Sequence, residues 1–206
     1  MTPPTDRRSR PKTDHRVAFF QGFLARPKEV GSIIPSSRFL ERRIVRAAGV
    51  TDARLLVELG PGTGGTTRAL LRAMREDATL MAIEINPRFV SLLRRDPDPR
   101  LVAHQGSASG LRAALELYDL PAPDVVLSGI PFSTMPRSAG LEILRSVEDA
   151  LAPGGTFVAY QVRDRVASLG SEVFGPARTQ REVLNVPPMR VYSWVKRPVA
   201  ATARRA

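Results

Sequence analysis

Cysteine is absent from this chain. That rules out disulfides, thiolate metal ligands and thiol nucleophiles, and nothing then points to an oxidising compartment. Histidine is nearly absent too. His15 and His104 are far apart in sequence, so a histidine-built metal site is not expected. No apolar run approaches the roughly 18 residues that suggest a membrane-spanning helix. The first apolar patch is interrupted by Gln21 and Gly22 and reads poorly as a signal peptide, so a cytoplasmic location is expected. Acidic residues are in deficit: 20 stand against 31 Lys and Arg, for a net charge of +11. This balance favours anionic partners, nucleic acid or an anionic membrane surface, although an arginine-rich solvated surface also fits it.

What is present suffices for one domain. The 206 residues are 43% hydrophobic, and a chain of that length buries about 70% of its unfolded surface without staples. Residues 1–14 are rich in Pro, Thr and Arg and read as a disordered basic tail. Residues 15–26 read as a helix with Val17, Phe20 and Leu24 on one face, closed by Pro27. A loop and a second helix, about 38–48, complete an N-terminal region over 15–49. Ser36 or Ser37 can cap that helix and Gly49 can stop it. From residue 50 strands and helices alternate. Strands are expected at 55–59, 79–85, 101–104, 124–127 and 157–162. Helices are expected at 64–74, 87–95, 109–117, 136–151 and near 165–173. The alternation with short links predicts an α/β domain over 50–197, with a parallel sheet covered on both faces. Two strands, 181–185 and 190–196, split by Pro187 and Pro188, read as a terminal hairpin. Residues 198–206 read as a flexible basic tail.

The sharpest feature is Leu55-Leu-Val-Glu-Leu-Gly-Pro-Gly-Thr-Gly64, a buried strand running into three alternate glycines and then a helix. Gly60 permits the tight turn, Gly62 lets backbone approach a ligand, and Gly64 removes a side chain where helix and strand pack. Glu84 ends the next apolar strand, 20 residues after Gly64. An acid there accepts hydrogen bonds from ribose hydroxyls.

These residues alone also fit a dinucleotide. The Gly-x-Gly-x-Gly spacing, with Glu58 before it and no phosphate-binding Lys, resembles motif I of the class I S-adenosylmethionine-dependent methyltransferases. The resemblance covers about 50–197. It implies a Rossmann-like fold with a seven-stranded, mostly parallel sheet and a C-terminal antiparallel hairpin. It also implies S-adenosyl-L-methionine as cofactor, with S-adenosyl-L-homocysteine as product. The cofactor-binding residues it implies are Glu58, Gly60, Pro61, Gly62, Thr63, Gly64, Glu84, Ile85, Ser107, Ala108 and Ser128. The chain departs from the family at Ser107, where many relatives have an acid for the adenine amino group. It departs again in Ser128-Gly-Ile-Pro-Phe132, where adenine methyltransferases begin the segment with Asn or Asp.

The flanks Phe23–Arg38, Ser128–Ser133, Tyr160-Gln161 and Asn185–Val191 resemble the bacterial phospholipid N-methyltransferases, over about 17–197. These convert phosphatidylethanolamine through its mono- and dimethyl forms to phosphatidylcholine; related chains methylate ornithine lipids. A basic, aromatic N-terminal helix carrying Phe19 can lie in an anionic membrane interface or serve as a lid. The expected catalytic groups are Tyr160, Ser128 and His15. The expected substrate-binding groups are Phe19, Ser36, Ser37, Arg38, Ile130, Pro131, Phe132, Tyr160 and Arg163. Arg38 or Arg163 is the candidate for a lipid phosphate, and the segment after the fourth strand is the candidate for the amine, with Phe132 as an aromatic wall. The protein is expected to be a monomer at the inner face of the cell membrane, without a metal. The rival is an rRNA adenine dimethyltransferase, which also accounts for the charge.

Overall fold

A computed structural model of the chain describes residues 37–197. The helix expected over 15–26 and the tails at 1–14 and 198–206 lie outside those residues. Helix α1 (Arg38–Ala48) starts where the Ser37 hydroxyl accepts from the Leu40 N–H. It stops at Gly49, whose φ of 63° lets its own N–H reach the Arg46 and Val45 carbonyls. There follow β1 (Leu55–Leu59), α2 (Gly65–Ala73), β2 (Thr79–Glu84), α3 (Pro87–Leu93), β3 (Leu101–Gln105), α4 (Leu111–Leu117) and β4 (Val125–Ser128). The chain continues with α5 (Arg137–Ala150), β5 (Thr156–Gln161), α6 (Arg165–Phe174), β6 (Arg178–Glu182) and β7 (Met189–Val195). Asn86 caps α3 with Pro87 in its first turn.

The seven strands form one sheet in the order β3-β2-β1-β4-β5-β7-β6. The first five run parallel, and β7 and then β6 close the edge antiparallel. Every residue of β1 and β4 is buried, as a sheet covered on both faces requires. Alternation along β1 sorts the core into two layers. Leu55, Val57 and Leu59 pack with residues of α4, α5 and α6, while Leu56 packs with residues of α1 and α2. Chain order reverses between β1 and β4, so the loops leaving their carboxyl ends diverge and open a crevice there.

The hairpin departs furthest from the sequence pattern. Its first strand is Arg178–Glu182, three residues earlier than the expected 181–185. Glu182 and Asn185 are buried instead of lying on a solvent-facing strand edge. Glu182 Oε2 accepts from Arg43 Nε at 2.8 Å, and its Oε1 accepts from the Leu184 N–H at 2.9 Å. Asn185 Oδ1 accepts from the Ser37 N–H, and its amide donates to the Pro187 carbonyl. The connection 183–188 is thus a loop whose one polar side chain, Asn185, points in behind Glu182 at the end of β6. Its aliphatic ones point out: Val183 is 68% exposed, Leu184 60% and Val186 86%.

Candidate active site

The glycine turn crosses the crevice from β1 to α2. Gly60, Gly62 and Gly64 all have positive φ, at 70°, 58° and 80°. A Cβ on Gly62 meets nothing within 4 Å, so glycine there answers a backbone conformation and leaves its face open to a ligand. Gly64 differs from expectation. A Cβ there meets Leu93 of α3 and the Arg68 guanidinium, so the small residue clears a neighbouring helix rather than the strand. Pro61 is buried and Thr63 exposed.

Glu84 is 5% exposed at the end of β2. Its Oε2 accepts from the Gly62 N–H at 3.1 Å and its Oε1 from the Asn86 N–H at 2.8 Å. The acid therefore holds the glycine turn against the start of α3. Each carboxylate oxygen keeps a further lone pair for a diol. Burial pushes the carboxyl up, and the N–H groups of Asn86, Gly62 and Ile85 pull it back. Ser107, after β3, is exposed, and its hydroxyl accepts from the Ser109 N–H; Ala108 beside it is buried.

Glu58 lies on the α1–α2 face of β1 and is fully buried. Its Oε2 accepts from the Thr67 hydroxyl at 2.6 Å. Its Oε1 is buried without a hydrogen-bond partner among the described residues. Burial pushes this carboxyl up to about 7, against the Thr67 hydrogen bond and with help from the negative charge of Glu84. An orphaned buried acceptor is costly unless something supplies a donor.

Tyr160 stands on the same face of β5. Its hydroxyl donates to the Thr66 hydroxyl at 3.3 Å. It also lies over Gly129, where a Cβ would come within 2.6 Å of it, so the close approach requires glycine at 129. Burial pushes the phenol well above its ordinary range, and the nearby Glu58 carboxylate pushes it further. Burial thus disfavours the ionised form, and the hydroxyl is engaged as a donor to Thr66.

The loop after β4 departs from two expectations. The Ser128 side chain is buried, and its hydroxyl accepts from the Ile130 N–H at 3.3 Å, so it shapes its own loop. Phe132 is fully buried in the core among residues of α5 and α6, with its ring near Gly140. It therefore offers no exposed aromatic wall; among the described residues, Tyr160 is the aromatic side chain that lies over Gly129 of this loop. The Ile130 carbonyl is engaged by the Gln161 amide. Ile130 itself packs under Gly60, and Pro131 is half-buried. Ser37 caps α1, and Arg38 and Arg163 are exposed, the Arg38 guanidinium 5.4 Å from the Phe39 ring. His15, Phe19 and Ser36 lie outside the described residues. Sequence reasoning missed Thr66 and Thr67, and it gave Gln161 no role although the residue stands in one of the resembling segments. The available signals were two threonines just past a glycine turn, and a polar residue ending a buried strand.

No protein-family model matches the chain. The chain is 32% identical over 141 residues to an ornithine lipid N-methyltransferase of Singulisphaera acidiphila, covering 68% of this chain and 73% of that protein. It is also 32% identical over 149 residues to the ribosomal RNA small subunit methyltransferase A of Corynebacterium jeikeium, covering 65% of this chain but only 43% of that protein. Among solved structures, an O-methyltransferase from Bacillus cereus in complex with S-adenosylhomocysteine superposes with a TM-score of 0.65 at 13% identity, covering 91% of this chain and 92% of that one. The N-methyltransferase NodS from Bradyrhizobium japonicum, in complex with the same compound, gives 0.64 at 12% identity, covering 86% and 98%. At such identities the structural likenesses speak for the fold.

Proposed function

The chain belongs with the Singulisphaera protein to the class I S-adenosylmethionine-dependent methyltransferases, and on that premise we propose that it methylates the primary amine of a membrane lipid. The site fits the cofactor. Glu84 would hold the ribose, the open face at Gly62 would admit the ligand, and the orphaned Glu58 oxygen would receive an ammonium donor. S-adenosylmethionine supplies a methyl group already activated by a sulfonium.

The observation that carries the acceptor reading is the Tyr160 hydroxyl packed over Gly129 and bonded to Thr66, within electrostatic reach of Glu58. A lipid alkylamine has an ordinary pKa of about 10, near that of Lys, and must react in its neutral form. Taking it out of water lowers that value. The Tyr160 oxygen can accept the amine N–H while its own proton goes to Thr66. Holding the nitrogen in line contributes more to the rate than proton transfer does. Ser128, turned to its own loop, offers no carboxamide to a nucleobase.

Two head groups compete. The motifs flanking the domain favour phosphatidylethanolamine, carried on to phosphatidylcholine, and the Singulisphaera relative favours ornithine lipid. The test is incubation with labelled S-adenosylmethionine and, separately, phosphatidylethanolamine vesicles, ornithine-lipid vesicles and rRNA. Label is expected in one of the lipids; label in rRNA alone overturns the reading. For Tyr160→Phe, kcat on the accepted lipid should fall about tenfold, the worth of one hydrogen bond, with cofactor affinity unchanged. An unchanged kcat removes Tyr160 from the acceptor site.

A further inference from the structure

The apolar loop 183–188 leaves the sheet at the edge where the candidate site opens. Gln161, the last residue of β5, pairs with Arg190, and Glu182 pairs with Met189. The loop therefore springs from the carboxyl edge, close to the register position where Tyr160 meets Val191. Its exposed Val183, Leu184 and Val186 are joined at that edge by Val162, which is 44% exposed. The side chains of Glu182 and Asn185 pin the loop from inside, so presenting these aliphatic groups needs little further ordering.

Exposed arginines stand at the same edge of the sheet. Arg163 and Arg165 are exposed just after β5, and Arg38 is exposed at the start of α1, which the Ser37–Asn185 hydrogen bond ties to the loop. Asp164 is the exposed acid here, with Arg190 3.9 Å away, and Glu182 is buried against Arg43. Aliphatic side chains with arginines at the same sheet edge suit an anionic lipid surface. A polynucleotide would use the arginines and leave the aliphatic groups wet.

We propose that loop 183–188 inserts into an anionic membrane and sets the crevice facing the lipid head groups. This rests on the lipid-amine reading and names the surface that serves it. The test floats the full chain with vesicles of phosphatidylglycerol and phosphatidylcholine. The combined variant Val183→Ser, Leu184→Ser and Val186→Ser should partition about tenfold or more weaker than the parent, since three aliphatic side chains lose their burial. Its thermal midpoint should hold, because all three side chains are exposed. Its kcat on a dispersed short-chain substrate should hold as well. In Val186→Trp the emission should shift blue only when vesicles are added, against the fixed background of buried Trp194. Unchanged partitioning of the triple variant overturns the proposal. So does a Val186→Trp emission already blue without lipid, which would mark a protein surface covering the loop. A parent that labels only rRNA defeats the lipid-amine reading by itself. A parent that methylates lipid while the triple variant floats unaltered defeats the docking surface by itself.

Discussion

Glu84→Ala is expected to weaken S-adenosylmethionine binding about a hundredfold. A carboxylate bonded to ribose hydroxyls contributes roughly 1.5–3 kcal/mol per bond, and two bonds reach the 2.7 kcal/mol or so that a factor of 100 requires. A second effect adds to this. Glu84 also accepts from the Gly62 and Asn86 N–H groups, so its loss releases the glycine turn from the start of α3. Glu84→Gln, similar in shape but with an N–H₂ group, cannot accept at both oxygen positions and should fall between parent and alanine. Calorimetric titration reads all three. Parent-like affinity in the alanine variant would show that the acid serves only the turn.

Glu58→Gln should change stability and affinity in opposite directions, both with pH. The Glu58 carboxyl, ordinarily near 4.5, is pushed up to about 7 in the folded chain. Between those values the folded chain keeps a proton that the unfolded chain has lost. Stability contributed by this group therefore falls as pH rises from about 4.5 to about 7 and stays lower above that. The difference corresponds to about 3 kcal/mol. The glutamine variant lacks the titration, so its urea midpoint should change less between pH 5 and 8, and it should be the more stable protein at pH 8. Cofactor binding should run the other way. The ionised carboxylate is the form that pairs with an ammonium, so affinity of the parent should strengthen as pH rises through about 7. Glu58→Gln should flatten that rise and bind about tenfold or more weakly at pH 8, as loss of a charge-assisted hydrogen bond predicts. Equal pH slopes in parent and variant, in both measurements, would take Glu58 out of the site.

Much of this architecture is legible before any coordinates, because it depends on neighbours in sequence. The Ser37 cap, the Gly49 stop and the Asn86-Pro87 start are decided within a turn of backbone. The strand–helix alternation and the glycine turn leading into Glu84 follow from apolar runs and spacing, and they suffice for the fold; choosing S-adenosylmethionine over a dinucleotide needed the resemblance to motif I. The proposed acceptor side is different. Tyr160 and Thr66 meet across 94 residues, and Ser37 and Asn185 across 148. Both faces of the sheet are covered, and the loops at its edge have no period that says which side chains turn in. Hence Phe132 turns out to be core, Ser128 serves its own loop, and Glu182 and Asn185 are buried while Val183, Leu184 and Val186 stay outside. Local chemistry in the chain determined the elements and the turn. Which side chains converge, and which apolar groups stay outside, was decided only when the seven strands took their order and every buried polar group had to find a partner.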